Sequence, residues 1–372
     1  MEKELTENLQ KLSEILEVAS SNIEEEKEKE RKVCDLVKQM NVEELRSALK
    51  GSKTHCMVNQ KGGVSKTTST SNIAYVLAQK GFKVLAIDTD SQSNLTGLCN
   101  VLPNEYTAEG TDDILGLQDI YDSYVKKNGN ISYKEDIEPC IIRPQYTELV
   151  RKETGKGKFD IVEEKKDFGF YLIPSDIGLS GFDVKLARSS TGGFSLYKVI
   201  KCINKEADFD YVVIDCPPAL TMLAYNGIGA SVDGCIVPIN LEVMTLRGTK
   251  NVIDAIIEIQ ELFKEAGLVH KGILGMIKSQ YVKRSRIQRD FEDVVNDFFP
   301  VRAFDTTIPN MTACDKAHAR GMLFAQFEPK AYDAYENLTN EIIAADIIRN
   351  DETETKIINN IDREVSEKLY NN

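Results

Sequence analysis

The ten residues "NQKGGVSKTT" (59–68) decide how this chain is read. The common phosphate-binding loop is G-x-x-x-x-G-K-[ST], with a glycine at each end of the spacer. Counting back from Lys66, those two positions hold Gln60 and Ser65. Gly62 and Gly63 stand in the middle instead, directly after a second lysine, Lys61. The surroundings are nevertheless those of a phosphate site. "THCMVN" (54–59) reads as a buried strand, and "SKTTSTSNIAYVLAQK" (65–80) as a helix that stops at Gly81. A glycine-rich turn opening into a helix aims backbone N–H groups and the positive end of the helix dipole at an anion. In that geometry Lys66 reaches the β- and γ-phosphates of a nucleotide, Thr67 ligates Mg²⁺ and Thr68 contacts the α-phosphate. Gly62 and Gly63 permit a close backbone approach, and Val64 and Ser65 complete the cradle.

Outward from the loop, strands and helices alternate. "FKVLAID" (82–88), "FYLIPS" (170–175), "YVVID" (211–215), "GCIVPIN" (234–240), "GILGMIKSQ" (272–280) and "DTTIP" (305–309) are the further strand candidates. Apolar, β-branched runs without alternation suit strands covered on both faces. The pattern predicts an α/β fold, a doubly wound P-loop NTPase domain with a mainly parallel sheet. It spans residues 53–350, with 100–169 read as a polar, irregular elaboration of that domain.

Residues 1–52 predict an N-terminal helical extension. Leu5, Leu9, Leu12, Leu16, Ala19 and Ile23 recur at coiled-coil spacing, which suits either a helix packed on its own domain or a dimer-forming helix. Asn41 and Glu44 form a capping-box pattern for a second helix, with Met40 and Leu45 as its staple and Gly51 as its stop. Residues 351–372 read as a C-terminal surface helix or tail.

Bulk composition narrows the function classes. The net charge of −13 argues against a chain coated with positive charge, though not against a local basic patch. Eight scattered cysteines without a C-x-x-C pair suit buried apolar positions, and a count of three histidines argues against a His-rich metal centre. No long uncharged apolar run is present, and the N-terminus has no signal-peptide core, so a cytoplasmic protein is expected.

The order K-G-G-V-x-K-T-T resembles the deviant Walker A loop of the ParA/MinD family of P-loop ATPases, closest to the plasmid-type ParA partition ATPases. The resemblance implies that Lys61 is the signature lysine, reaching across a homodimer interface to the partner subunit's phosphates. Two lysines then imply two subunits with ATP and Mg²⁺ sandwiched between them. Ser65 departs from the glycine commonest at its position, a change expected to leave binding intact. "AIDTDSQSNLTG" (86–97) is similar to the family's D-x-D-P-Q-G-N-x-T segment, with Ser91 in place of proline. Asp90 then matches the residue that orients the attacking water, and Asp88 fits a supporting role near Mg²⁺. "FDYVVIDCPPAL" (209–220) resembles the Walker B and switch segment, so Asp215 holds Mg²⁺ through water while Pro217 and Pro218 stiffen a γ-phosphate-sensing turn. "DTTIPN" (305–310) resembles the stretch beside the adenine, making Pro309 and Asn310 candidate base contacts.

"KSQYVKRSRIQR" (278–289) carries Lys278, Lys283, Arg284, Arg286 and Arg289 with no acid. Ile287, Phe291, Val294 and Phe298 follow at helical spacing and predict that helix's buried face. Partition ATPases bind non-specific DNA through arginines in this region, so the resemblance makes Lys283, Arg284, Arg286 and Arg289 DNA-binding candidates. It also implies a nucleoid-associated protein whose slow ATP hydrolysis is stimulated by a ParB-type centromere-binding partner. The alternative is a MinD-like membrane-surface positioning ATPase. Its amphipathic C-terminal helix is basic, whereas residues 351–372 hold six acids against three bases, so no membrane partner is expected. An iron-protein-like electron carrier would need two bridging cysteines, and Cys99 and Cys140 lack the glycine-rich setting of such a site.

Overall fold

A computed structural model describes residues 2–17, 23–101, 114–155, 158–188, 192–241, 243–282, 284–298, 303–310 and 312–350. Three helices come first: α1 (Glu2–Glu17), α2 (Ile23–Val37) and α3 (Val42–Leu49). There follow β1 (Lys53–Met57), α4 (Lys66–Gln79), β2 (Val84–Asp88), α5 (Asn94–Leu98) and α6 (Leu117–Lys126). Next come β3 (Gln145–Gly155), β4 (Lys158–Asp167), β5 (Tyr171–Ile173), α7 (Phe182–Ala187), α8 (Ser195–Glu206), β6 (Tyr211–Asp215) and α9 (Met222–Ala230). The last third holds β7 (Cys235–Asn240), α10 (Val243–Glu265), β8 (Ile273–Tyr281), α11 (Arg286–Phe298), β9 (Ala303–Pro309), α12 (Ala313–His318), α13 (Phe324–Phe327) and α14 (Pro329–Ile348).

Seven strands form one parallel sheet in the order β5-β2-β6-β1-β7-β8-β9. This is the doubly wound arrangement that the apolar runs predict, and every predicted strand is present. β1, β2, β6 and β7 are buried along their whole length. Successive side chains feed opposite faces. Met57, Val84, Ala86, Tyr211 and Val213 join the core under α2, α4 and α14. Cys56, Leu85, Ile87, Val212 and Ile214 join the other, under α8, α9 and α10. Both faces of the central strands are therefore dry, which is why their sequences show no polar alternation.

The N-terminal helices belong to the first of these cores. Leu12 is buried in it beside Val33, Leu36, Val37 and Leu49, and Leu9 and Leu16 pack against it. The described part of the leucine seam thus lies against the chain's own fold, while Ile23 is exposed; Ala19 lies outside the described residues. The capping box is present: Asn41 Oδ1 accepts from the Glu43 and Glu44 N–H groups, and Glu44 Oε2 accepts from the Asn41 N–H at 2.8 Å.

Residues 100–169 are less irregular than expected. They contain α6, whose Leu117, Ile120, Tyr121 and Tyr124 are buried, and an antiparallel hairpin of β3 and β4. Both hairpin faces carry charge. Leu149 and Ile161 stand exposed on one, and ion pairs such as Lys152–Glu164 lie on the other.

At the far edge of the main sheet, Glu341 of α14 accepts from the backbone N–H groups of Asp305 (2.6 Å) and Thr306 (3.0 Å), and from the Thr306 hydroxyl. Arg31 of α2 pairs with Asp305 beside it. At the opposite edge β5 is three residues long, and an antiparallel bridge from Ile142 to Leu172 covers it.

Candidate nucleotide site

The loop leaves β1 at the carboxyl edge of the sheet and is fastened before it turns. Asn59 is fully buried; its Nδ2 donates to the Pro238 carbonyl at 2.7 Å and its Oδ1 accepts from the Lys61 N–H at 3.0 Å. Gln60 accepts from Asn251 Nδ2 at 2.8 Å. Gly63 takes a φ of +74°, in the region that glycine tolerates without strain. A Cβ placed on Gly62 or Gly63 would meet nothing within 4 Å. No packing demands these glycines, so the space over the loop is open for a ligand. Ser65 occupies the same left-handed region at φ +65°, where the common loop has glycine, and α4 begins directly after it. Val64 is buried, while Thr67 and Thr68 are half-buried in the first turn of α4.

Lys66 is buried and bends back, its Nζ 3.2 Å from the Lys61 carbonyl. Burial pulls its pKa down, against the opposing pull of Asp215. A cation held this way, short of a full partner, is suited to meet an anion.

Three carboxylates stand behind the loop. β2 and β6 pair so that Asp88 lies opposite Asp215. Asp88 is saturated: Oδ1 accepts from the Asp90 N–H at 3.1 Å, and Oδ2 from the Thr96 N–H and hydroxyl at 2.9 and 2.8 Å. Asp215 is not. Its Oδ1 accepts from the Thr70 hydroxyl at 3.3 Å, but its Oδ2 is buried with no donor. Burial, and then Asp88, push the Asp215 pKa far above the ordinary carboxylate range; burial raises Asp88 as well. An orphaned carboxylate oxygen next to the first helical threonine fits a divalent cation, which would satisfy that oxygen and offset the charge. No group of three or more His, Cys, Asp or Glu side chains capable of holding a metal exists among the described residues. Thr67 and Asp215 would therefore share the ion with phosphate and water oxygens. Asp90, close by, accepts from the Gln92 N–H at 3.0 Å through Oδ1.

Two residues that motif reading passed over also touch the loop. Gln280, near the end of β8, donates from Nε2 to the Gly63 carbonyl at 2.8 Å and to the Ser65 hydroxyl at 3.3 Å. Asn240, at the end of β7, donates to the same carbonyl at 3.4 Å and to Gln280 Oε1 at 3.2 Å. Pro309 and Asn310 lie on this edge of the sheet, two strands beyond β7. There Pro309 pairs with Tyr281, and the Asn310 N–H donates to the Tyr281 carbonyl at 3.0 Å.

The chain matches the family model described as an AAA domain (AAA_31) over residues 52–267. This is a member of the ParA/MinD family of P-loop ATPases. It is 25% identical over 294 residues to the sporulation initiation inhibitor protein Soj of Bacillus subtilis, covering 78% of this chain and 98% of Soj. It is equally similar, at 25% over 290 residues, to the chromosome partitioning protein ParA of Caulobacter vibrioides, covering 77% and 92% of the two chains. The fold is shared with cobyrinic acid a,c-diamide synthase from Mycobacterium smegmatis, solved with bound ADP and magnesium. That likeness has a TM-score of 0.56 and 23% identity, and covers 77% of this chain and 92% of that one.

Beyond the nucleotide loop of this ParA/MinD-family chain, the basic segment differs in two ways from the sequence reading. Lys278 belongs to the core: it is buried, with its Nζ 3.0 Å from Glu292 Oε1. Ile287 is not on the buried face of α11 but 69% exposed, alongside exposed Arg284, Arg286 and Arg289. The inner face is set by Val295, which is buried, with Phe291 and Val294 half-buried. Gln288 turns inward to tie down the start of the helix, accepting from the Val282 N–H at 2.6 Å. Lys283 and residues 351–372 lie outside the described residues.

Proposed function

We propose that this chain is a ParA-type partition ATPase, which closes as a homodimer around two Mg·ATP and in that state grips DNA without sequence preference. What carries the reading is the twin-lysine loop seated against Asp215, whose buried oxygen lacks a donor. The backbone of Gly62 through Thr68 cradles the phosphates, and Lys66 straightens from the Lys61 carbonyl onto them. Thr67 and Asp215 hold Mg²⁺, with Asp88 locked behind as fixed negative charge. When bound, the metal neutralises charge on the phosphoryl oxygens. Asp90 orients the water, Lys61 acts across the dimer interface, and Pro309 and Asn310 flank the base. Positioning and electrostatics suffice, because phosphoryl transfer asks little covalent chemistry of the protein. Arg284, Arg286 and Arg289, together with Lys283, meet DNA phosphates. Hydrolysis, stimulated by a ParB-type centromere-binding protein, resets the switch. The protein works in the cytoplasm, on the nucleoid.

Binding to a random-sequence duplex is the test, with Mg·ATP, with Mg·ADP and without nucleotide, titrated with salt beside anionic vesicles. The expected result is ATP-dependent, salt-sensitive DNA binding that Arg284→Ala weakens and Lys66→Ala abolishes. Each phosphate contact removed should lower the salt slope by about 1. Vesicle binding without DNA binding would overturn this reading in favour of a MinD-like membrane-surface ATPase. Among the described residues no helix is long and apolar enough to cross a membrane.

A further inference from the structure

We infer that Gln280 is a positioning residue that couples the state of the nucleotide loop to the orientation of the basic helix α11. Gln280 and Ser65 are both non-glycine residues on left-handed backbone, at φ +53° and +65°, a conformation that costs an L residue energy. They touch each other: Gln280 Nε2 lies 3.3 Å from Ser65 Oγ and 2.8 Å from the Gly63 carbonyl. Strained residues persist where their surroundings over-determine them, and such positions concentrate at switches. Here the surroundings are a clamp of two amides. Asn240 Nδ2 holds the Gln280 side chain and the same Gly63 carbonyl, while Asn240 Oδ1 is buried without a donor. The clamp is thus incompletely satisfied as it stands, and a rearranged loop can offer a different set of bonds.

The other end of the lever is short. Only Tyr281 separates Gln280 from Val282, whose N–H is held by Gln288 of α11 at 2.6 Å. Ser285 Oγ accepts from the Gln288 N–H at 3.3 Å. Tyr281 is fixed on its far side by Pro309 and Asn310. Phosphate entering the cradle recruits the loop's backbone N–H groups and so bears on the peptide whose carbonyl Gln280 holds. Because the strand behind is packed and the turn ahead is exposed, the movement goes forward, into the segment that presents Arg284, Arg286 and Arg289. The assignment of these arginines to DNA rests on the function proposed above; the coupling of loop to helix does not.

Hydrogen exchange over residues 281–298 reads the coupling without DNA. It would be followed with and without Mg·ATPγS in wild type, Gln280→Ala, Gln280→Glu and Gln280→Gly, with nucleotide affinity measured alongside. In wild type the nucleotide should change exchange near the start of α11 by about fivefold or more. Gln280→Ala and Gln280→Glu, each compared at a nucleotide concentration that saturates it, should lose that response. Gln280→Gly, which removes the strain as well as the clamp, should lose it too; a response kept in Gln280→Gly would mean that the side chain is not the link. An unresponsive helix in wild type, or a full response in Gln280→Ala and Gln280→Glu, would overturn the inference. A response lost in the variants while wild type binds no DNA would leave the coupling standing and sink the partition reading. Absence of any nucleotide binding by wild type would overturn both.

Discussion

Asp215 shows what the proposed metal site would cost the residue placed to serve it. Its Oδ2 is buried without a donor, beside Asp88 whose oxygens are both saturated. Asp215→Asn, which swaps the strained carboxylate for an amide, should raise the nucleotide-free protein's stability by about 1–3 kcal/mol in urea unfolding. The same change should lower ATP turnover by about a hundredfold or more. A variant that loses both stability and turnover would show Asp215 to be an ordinary structural carboxylate. That Lys61, Lys66, Thr67, Asp88, Asp90 and Asp215 gather at one edge of the sheet could be read from the sequence, because each sits at a fixed offset from a strand end or helix start. Gln280 and Asn240 could not be so read, because they act on the loop from positions 217 and 177 residues away from Gly63. Only the sheet order brings them there.

Elements were legible where burial was two-sided. A central strand dry on both faces has no choice but a run of apolar residues, as β2, β6 and β7 show, whereas the edge strand β9, with Asp305, Thr306 and Thr307, is only partly buried. The hairpin of β3 and β4 has both faces in water, so no apolar pattern distinguishes its eleven- and ten-residue strands from loop. Its one local signal in the sequence is the Gly-Lys-Gly run at 155–157, a composition that favours turns. Helix α11 was legible as a helix but misphased. Counting from Ile287 misses that the first turn of the helix lies at the surface, where Gln288 holds the Val282 N–H and Ile287 stands exposed with the arginines. Ile287→Ser should therefore change folding stability by no more than about 0.5 kcal/mol. A loss of about 2 kcal/mol or more in thermal or urea unfolding would restore Ile287 to the core.

Across the whole molecule, the first strand and the last described helix are joined by a buried polar knot. His55 of β1 places Nδ1 2.9 Å from the Gly234 carbonyl and Nε2 3.0 Å from Asp346 Oδ2 of α14, which also accepts from the Tyr211 hydroxyl at 3.1 Å. Both ring nitrogens face acceptors, so the doubly protonated imidazolium is the form that fits. Burial alone would pull the His55 pKa down, but Asp346, and then Asp233, outweigh it and leave the value raised. A group raised in the folded state contributes its full stability below its unfolded value, about 6.5, and loses it as pH climbs through the folded one. Asp346→Asn should cost about 3 kcal/mol or more near pH 6, with the deficit narrowing toward pH 9. Unfolding midpoints of both proteins across that range would check it; a deficit that is flat or widens with pH would mean that His55 is neutral. Sequence could not pair His55 with Asp346, since they meet across 291 residues.

The carboxylate of Glu341 has a consequence for the molecule in a crowd. An uncovered edge strand is a template on which a second chain can lay its backbone, and growth by that route is hard to undo. Here one end of the sheet is stoppered by Glu341 against Asp305 and Thr306, and the other is a three-residue strand already bridged by Ile142. At both ends of the main sheet, edge-to-edge pairing with a neighbouring copy is therefore hindered. Copies are left to meet through side-chain surfaces, whose contacts salt and ligands can dissolve.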